Sequence, residues 1–91
     1  MIAPAPETTE AGGVPRFFFH VYDDIAVRDE EGLDLPDLAA ARRAALSGAR
    51  SLICAEVGTG RLHLGHRLEV EDEAGACVLV LPFGDAIEIL P

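Results

Sequence analysis

The stretch Arg16-Phe17-Phe18-Phe19-His20-Val21-Tyr22 constrains the fold more than any other part of the chain. It holds all but one of the phenylalanines and the sole tyrosine. Consecutive side chains of a strand point to opposite faces. A strand here sends Phe17, Phe19 and Val21 one way and Phe18, His20 and Tyr22 the other. The first set reads as core. The second reads as an aromatic surface that something covers.

The flanks divide the chain. Residues 1–15 hold Pro4, Pro6, Pro15, Gly12 and Gly13 among Ala, Thr and Glu, and read as a flexible tail outside the fold. Residues 16–91 then form a single compact α+β domain. Asp23-Asp24 suits a tight turn, because aspartate accepts local backbone hydrogen bonds. A second strand follows at about 25–29 and closes at Glu30-Glu31-Gly32. Asp34 is the expected helix cap, with Pro36 in the first turn and Asp37 adding negative charge there. The helix is expected over 36–57, stopped by Gly58 and Gly60. At 100° per residue, Leu38, Ala41, Ala45, Leu46, Ala49, Leu52 and Ile53 share a face. Gly48 beside the alanines costs helix propensity that close packing would offset. A third strand is expected at 66–72, a turn at Glu73-Ala74-Gly75, and a fourth strand at 76–82. The last is apolar throughout, which predicts burial on both faces.

The expected fold class is therefore α+β, ordered β-β-α-β-β, with one antiparallel sheet and a single helix on one face. That helix leaves the other face, with Phe18 and Tyr22, uncovered. Exposed apolar faces mark interfaces, so a homodimer, face to face or edge to edge, is the expected partner arrangement.

Charge narrows the partners. Seven basic residues, all arginine, stand against 16 acidic ones, for a formal charge of −9. This argues against a nucleic-acid backbone or an anionic membrane as partner. Cys54 and Cys77 form neither a disulfide framework nor a zinc pattern. Cys54 falls off the core face of the helix, and Cys77 is expected to be buried. The N-terminus has no basic region and no apolar run is long enough to span a membrane, so a cytoplasmic location is expected.

Several stretches together carry a resemblance: Arg16-Phe17-Phe18-Phe19-His20-Val21, Asp29-Glu30-Glu31-Gly32, Leu35-Pro36-Asp37-Leu38-Ala39-Ala40-Ala41-Arg42, Val70-Glu71-Asp72-Glu73-Ala74-Gly75 and Leu81-Pro82-Phe83. In this order they resemble a family of short bacterial proteins, frequent in alphaproteobacteria, known as a domain of unknown function. The resemblance covers about residues 16–90. It implies the same β-β-α-β-β fold and no activity, so no catalytic residues are carried over.

Candidate chemistry is sparse. Arg42 falls within the apolar helical face. It reads either as an anion-binding arginine or as a structural one whose stem packs on the sheet while its guanidinium pairs with Asp29, Asp24 or Asp72. Glu56 reaches the rim of the same face. His63-Leu64-Gly65-His66 offers two imidazoles that could, with Asp23, Asp24 or His20, bind a transition metal. The spacing matches no strong signature, so no metal is assigned, and His63 and His66 stand as weak candidates. Asp23-Asp24 and Glu69–Glu73 are explained by turn chemistry and a solvated strand face. No G-x-S-x-G elbow exists, and Gly58-Thr59-Gly60-Arg61 lacks the lysine and preceding strand of a phosphate loop. No enzyme and no cofactor are expected. The leading expectation is a non-enzymatic interaction module that self-associates through its sheet, with Phe18, His20, Tyr22 and Arg42 as binding candidates. The alternatives are a regulatory or antitoxin-like protein that binds a basic partner through its acidic surface, and a small-ligand or metal binder.

Overall fold

The first strand, β1, runs Arg16–Tyr22, as the aromatic alternation predicts. The computed structural model describes residues 14–91, so most of the expected N-terminal tail lies outside the described residues. After β1 come β2 (Ala26–Val27), β3 (Leu33–Asp34), helix α1 (Leu38–Val57), β4 (Arg67–Glu71) and β5 (Cys77–Pro82). A single 3₁₀ turn, Phe83–Asp85, closes the series. This is an α+β arrangement: one open antiparallel sheet of five strands and one main helix.

The sheet order is β2-β1-β4-β5, with β3 sharing the β2 side of β1. The expected second strand is thus two short pieces. Ala26–Val27 pairs with the end of β1, and Leu33–Asp34 pairs with its beginning. Between them the chain bulges out from the middle of β1. The Asp23 turn forms as expected, with its Oδ1 accepting the N–H of Ile25 at 3.0 Å. The β4–β5 turn is pinned by Asp72, whose Oδ1 accepts from the N–H groups of Ala74 and Ala76 at 2.9 Å.

The helix starts later than the sequence predicts. Asp37, not Asp34, is the cap, and its side chain accepts the N–H of Ala40 at 2.8 Å. Asp34 is instead held in β3, where Arg16 Nε lies 2.9 Å from its carboxylate.

One face of the sheet carries the core: Phe17, Leu68, Val70 and Leu81, against Ala41, Ala45, Ala49 and Ile53 of α1. Ala40 apart, the buried helix positions recur every fourth residue. Each such step rotates the seam by about 40° around the axis. The contact therefore follows an i, i+4 ridge rather than one fixed face. Leu38 and Leu52 fall off the ridge and are exposed. So does Arg42, which the averaged periodicity places within the apolar face.

Two further expectations are corrected. β5 is an edge strand, and its apolar run is not buried on both faces: Val80, paired with Glu69 on the face that the helix leaves open, is exposed. Cys77 is exposed too. It sits opposite Glu71, where a register shift between Val70 and Glu71 interrupts the β4–β5 ladder.

Candidate functional site

The outer sheet face is not the apolar surface that its aromatics imply. β1 supplies Phe18, His20 and Tyr22, but β4 places Glu71, Glu69 and Arg67 directly across from them. Arg67 donates from Nε to Glu69 at 2.6 Å, and its guanidinium lies 4.6 Å from the centre of the Tyr22 ring. Arg28 reaches Glu71 at 3.3 Å. The charges of β4 thus pair with one another, with Arg28 and over the aromatics.

His20 is only 2 % exposed, so it offers no surface to a partner. Its Nδ1 accepts the backbone N–H of Asp29 at 3.0 Å. An accepting Nδ1 carries no proton, which places the ring hydrogen of the neutral tautomer on Nε2. Glu71 Oε1 lies 3.1 Å from Nε2. The pair is out of line, and among the described residues no group makes an aligned hydrogen bond to the buried Nε2. Around it runs a cleft of about 290 Å³ bordered by Phe18, Arg28, Glu30, Glu71, Asp72 and Glu73.

Asp29 fills the gap that the bulge leaves beside β1. Burial pushes its carboxyl up, but the N–H groups of Phe19, Gly32 and Glu31 outweigh this and hold it below its ordinary value. Arg42 stands apart from all of this. The arginine ion pairs among the described residues are Arg16–Asp34, Arg28–Glu71 and Arg67–Glu69. The expected pairing of Arg42 with Asp29, Asp24 or Asp72 is not formed.

A separate cluster gathers at the C-terminal end of α1. Glu56 on the last helical turn meets His63 and His66 from the following loop, with one ligand atom from each within 4.8 Å of the others. The His63 side chain bonds to Glu56 Oε2, and the His63 backbone N–H donates to Oε1 at 3.1 Å. These contacts, the side-chain bond first, hold the Glu56 carboxyl below its ordinary value. The two imidazoles stack, with centroids 4.4 Å apart and planes 14° from parallel. Phe83 meets the His66 ring edge-on at 5.9 Å. Asp24 approaches the far side of His66, with Oδ1 3.7 Å from Nε2.

The sequence thus shows His63 and His66 as a pair and Asp24 as a neighbour, but it does not point to Glu56 as their partner. The signal for it is the local spacing Glu56…His63-x-x-His66, which crosses from a helix into a loop. Neither the strand nor the helix period reaches across that junction. Asp29 and Glu71 were likewise not foreseen as the partners of His20.

Fold and site together define a small sheet-and-helix domain with paired charges on its open face. Residues 16–84 match the family described as a domain of unknown function, DUF6894, and the chain belongs to it. No curated protein and no solved structure matches the chain.

Proposed function

We propose that this domain is a non-enzymatic interaction module that pairs with a second copy of itself through β5. The carrying observation is the free edge of the sheet. β5, Cys77-Val78-Leu79-Val80-Leu81-Pro82, is a six-residue edge strand with no charged side chain. Among the described residues no strand covers its outer side. Edge strands carry unpaired N–H and C=O groups, and charges commonly protect them against pairing. Pro82, at the end of the strand, is the one such device here.

Charge favours a copy of this chain meeting at β5. With a formal −9 on each molecule, two copies repel over most of their surfaces. The uncharged edge is where they approach at least cost. An antiparallel β5–β5 pair about a twofold axis satisfies both rows of backbone groups and makes one continuous sheet. Face-to-face pairing is the weaker arrangement. It would bury Arg67, Glu69 and Glu71 along with Phe18 and Tyr22, and buried ion pairs repay their desolvation poorly.

Light scattering after size exclusion tests the reading. The wild type should run at twice 9.7 kDa. Val80→Lys should run as a folded monomer, while Phe18→Glu, off the edge, should leave the dimer intact. A monomeric wild type at micromolar concentration, or a dimeric Val80→Lys, overturns it.

A second reading is a basic partner held in the acidic cleft beside His20, where Glu30, Glu71, Asp72 and Glu73 outnumber Arg28. Its binding would weaken steeply with salt. Captured partner that survives high salt unchanged counts against it.

A further inference from the structure

We infer that Glu56, His63 and His66 form a binding site for a divalent transition-metal ion of the zinc class, held between the end of α1 and the loop that follows. The donor set comes first. Two imidazole nitrogens and one carboxylate oxygen suit zinc and its neighbours rather than calcium or magnesium, which take oxygen ligands. Three protein ligands leave one position for water.

The spacing fits. Ligand atoms about 2.0–2.1 Å from a tetrahedral ion stand roughly 3.3 Å apart. His66 Nδ1 lies 3.7 Å from Glu56 Oε2. His63 Nδ1 is closer to the same oxygen than an ion allows. Its ring is 46 % exposed, while Glu56 and His66 are each 17 % exposed, so His63 is the ligand that must turn, giving up its bond to Glu56 and its stack on His66. An ion lies in the plane of each imidazole that binds it, so two near-parallel rings cannot share one, and the His63 ring turns out of the stack as the site closes.

The backbone holds the cluster in place. His66 N–H donates to the His63 carbonyl at 3.2 Å, a turn that puts both rings on one side of the loop. The Gly84 and Phe83 N–H groups donate to the carbonyls of Leu64 and His66 at 3.1 and 2.7 Å, tying the loop to the 3₁₀ turn. Thr59 donates from both N and Oγ1 to the Glu56 carbonyl, at 2.9 and 2.7 Å, fixing the helix end. The His63 N–H occupies Glu56 Oε1, so Oε2 is the oxygen left for an ion.

Asp24 stands 3.7 Å from His66, beyond hydrogen-bond distance but on the side where metal-binding histidines usually make an outer contact. Its carboxylate faces Nε2 of His66, the nitrogen opposite the one directed at Glu56. A small turn of this exposed side chain lets it accept from Nε2–H, which leaves the Nδ1 lone pair for the ion. A cleft of about 150 Å³ bordered by Asp24, Leu52, Glu56, His66 and Phe83 adjoins the cluster and is roomy enough for the water.

The test is titration of the full chain, free of any affinity tag and stripped with chelator, with Zn²⁺ by calorimetry and Co²⁺ by visible absorption. One equivalent should bind, with the absorption of four-coordinate Co²⁺. His63→Ala and Glu56→Gln should each weaken binding at least ~10-fold, and Asp24→Ala about 10-fold. His63 is exposed, so its variant keeps the fold even if His66→Ala does not. Cys54 and Cys77 are exposed rival ligands. A Cys54→Ser/Cys77→Ser variant should therefore bind as the wild type does. No saturable binding, binding unchanged in the folded His63→Ala and Glu56→Gln variants, or binding lost with the cysteines each overturns the site.

Discussion

His20 and Asp29 hold each other in place through a reciprocal exchange across the side of β1. The Asp29 backbone N–H donates to His20 Nδ1 at 3.0 Å, and the Asp29 carboxylate accepts the N–H of Phe19, the residue before His20, at 3.1 Å. Two side-chain bonds replace the strand ladder where β2 has ended and β3 has not begun. The same carboxylate accepts from Glu31 and Gly32, each at 3.1 Å, and so shapes the loop that returns to β3.

Removing that carboxylate should destabilise the fold. Hydrogen bonds to charged groups contribute about 1.5–3 kcal/mol each, and a part-exposed site recovers some of the loss from water. Asp29→Ala should therefore cost about 2 kcal/mol in urea unfolding at neutral pH.

Acid should erase much of the effect. The folded-state pKa of Asp29 lies below its ordinary 3.8. The stabilisation is then fully present above 3.8 and lost as pH falls through the lower, folded value. The stability gap between wild type and Asp29→Asn, measured by urea unfolding, should narrow across that window. A constant gap from neutral pH into acid would show that the carboxylate charge contributes nothing.

Gly32 is required by both its backbone and its surroundings. Its φ is +76°, and an added Cβ would sit 2.8 Å from Arg16 Cγ, 2.9 Å from Phe18 Cε1 and 3.0 Å from the Phe17 carbonyl oxygen. Gly75 has a similar φ of +84° with nothing within 4 Å of an added Cβ. Gly75→Ala should cost only the left-handed backbone term, about 1–2 kcal/mol. Gly32→Ala should cost clearly more, on the order of 2–4 kcal/mol once crowding is added. Equal losses in thermal unfolding would show that the loop yields freely.

The alanine seam sets how closely α1 lies on the sheet. Ala41, Ala45 and Ala49 are fully buried, and none has room for a larger side chain without moving the helix. Ala45→Leu should destabilise by about 1–3 kcal/mol despite adding apolar surface. Ser47→Ala, on the exposed side of the same helix, should change stability by less than about 0.5 kcal/mol.

β1 is readable to the residue because its side chains alternate between faces, and the end of α1 because glycines follow Val57, but its start is not, because Asp34 before Pro36 looks as good a cap as the true one, Asp37. Leu33–Asp34 is not readable either, because a two-residue strand has no period to detect. β5 misled for a different reason. An apolar run looks the same whether it fills the middle of a sheet or lies open at its edge, and only strand order separates the two. Pro82 was the available clue, since proline within a strand favours an edge. Arg42 lies outside the buried seam, which one averaged helical face cannot describe because the seam turns along the helix.

The same turning seam bears on Gly48. A glycine inside a helix beside a buried alanine stripe invites the reading that only glycine fits. The surroundings say otherwise: the nearest atom to an added Cβ is Leu68 Cδ1 at 3.8 Å, an ordinary contact, and φ is not left-handed. Nothing near Gly48 offsets its cost to the helix. Gly48→Ala should stabilise the protein by about 0.5–1 kcal/mol, from reduced freedom of the unfolded chain and a new contact with Leu68. Chemical denaturation checks this directly. A rise in midpoint with unchanged slope is the expected result, and a fall would mean that the helix lies closer to Leu68 than this packing allows.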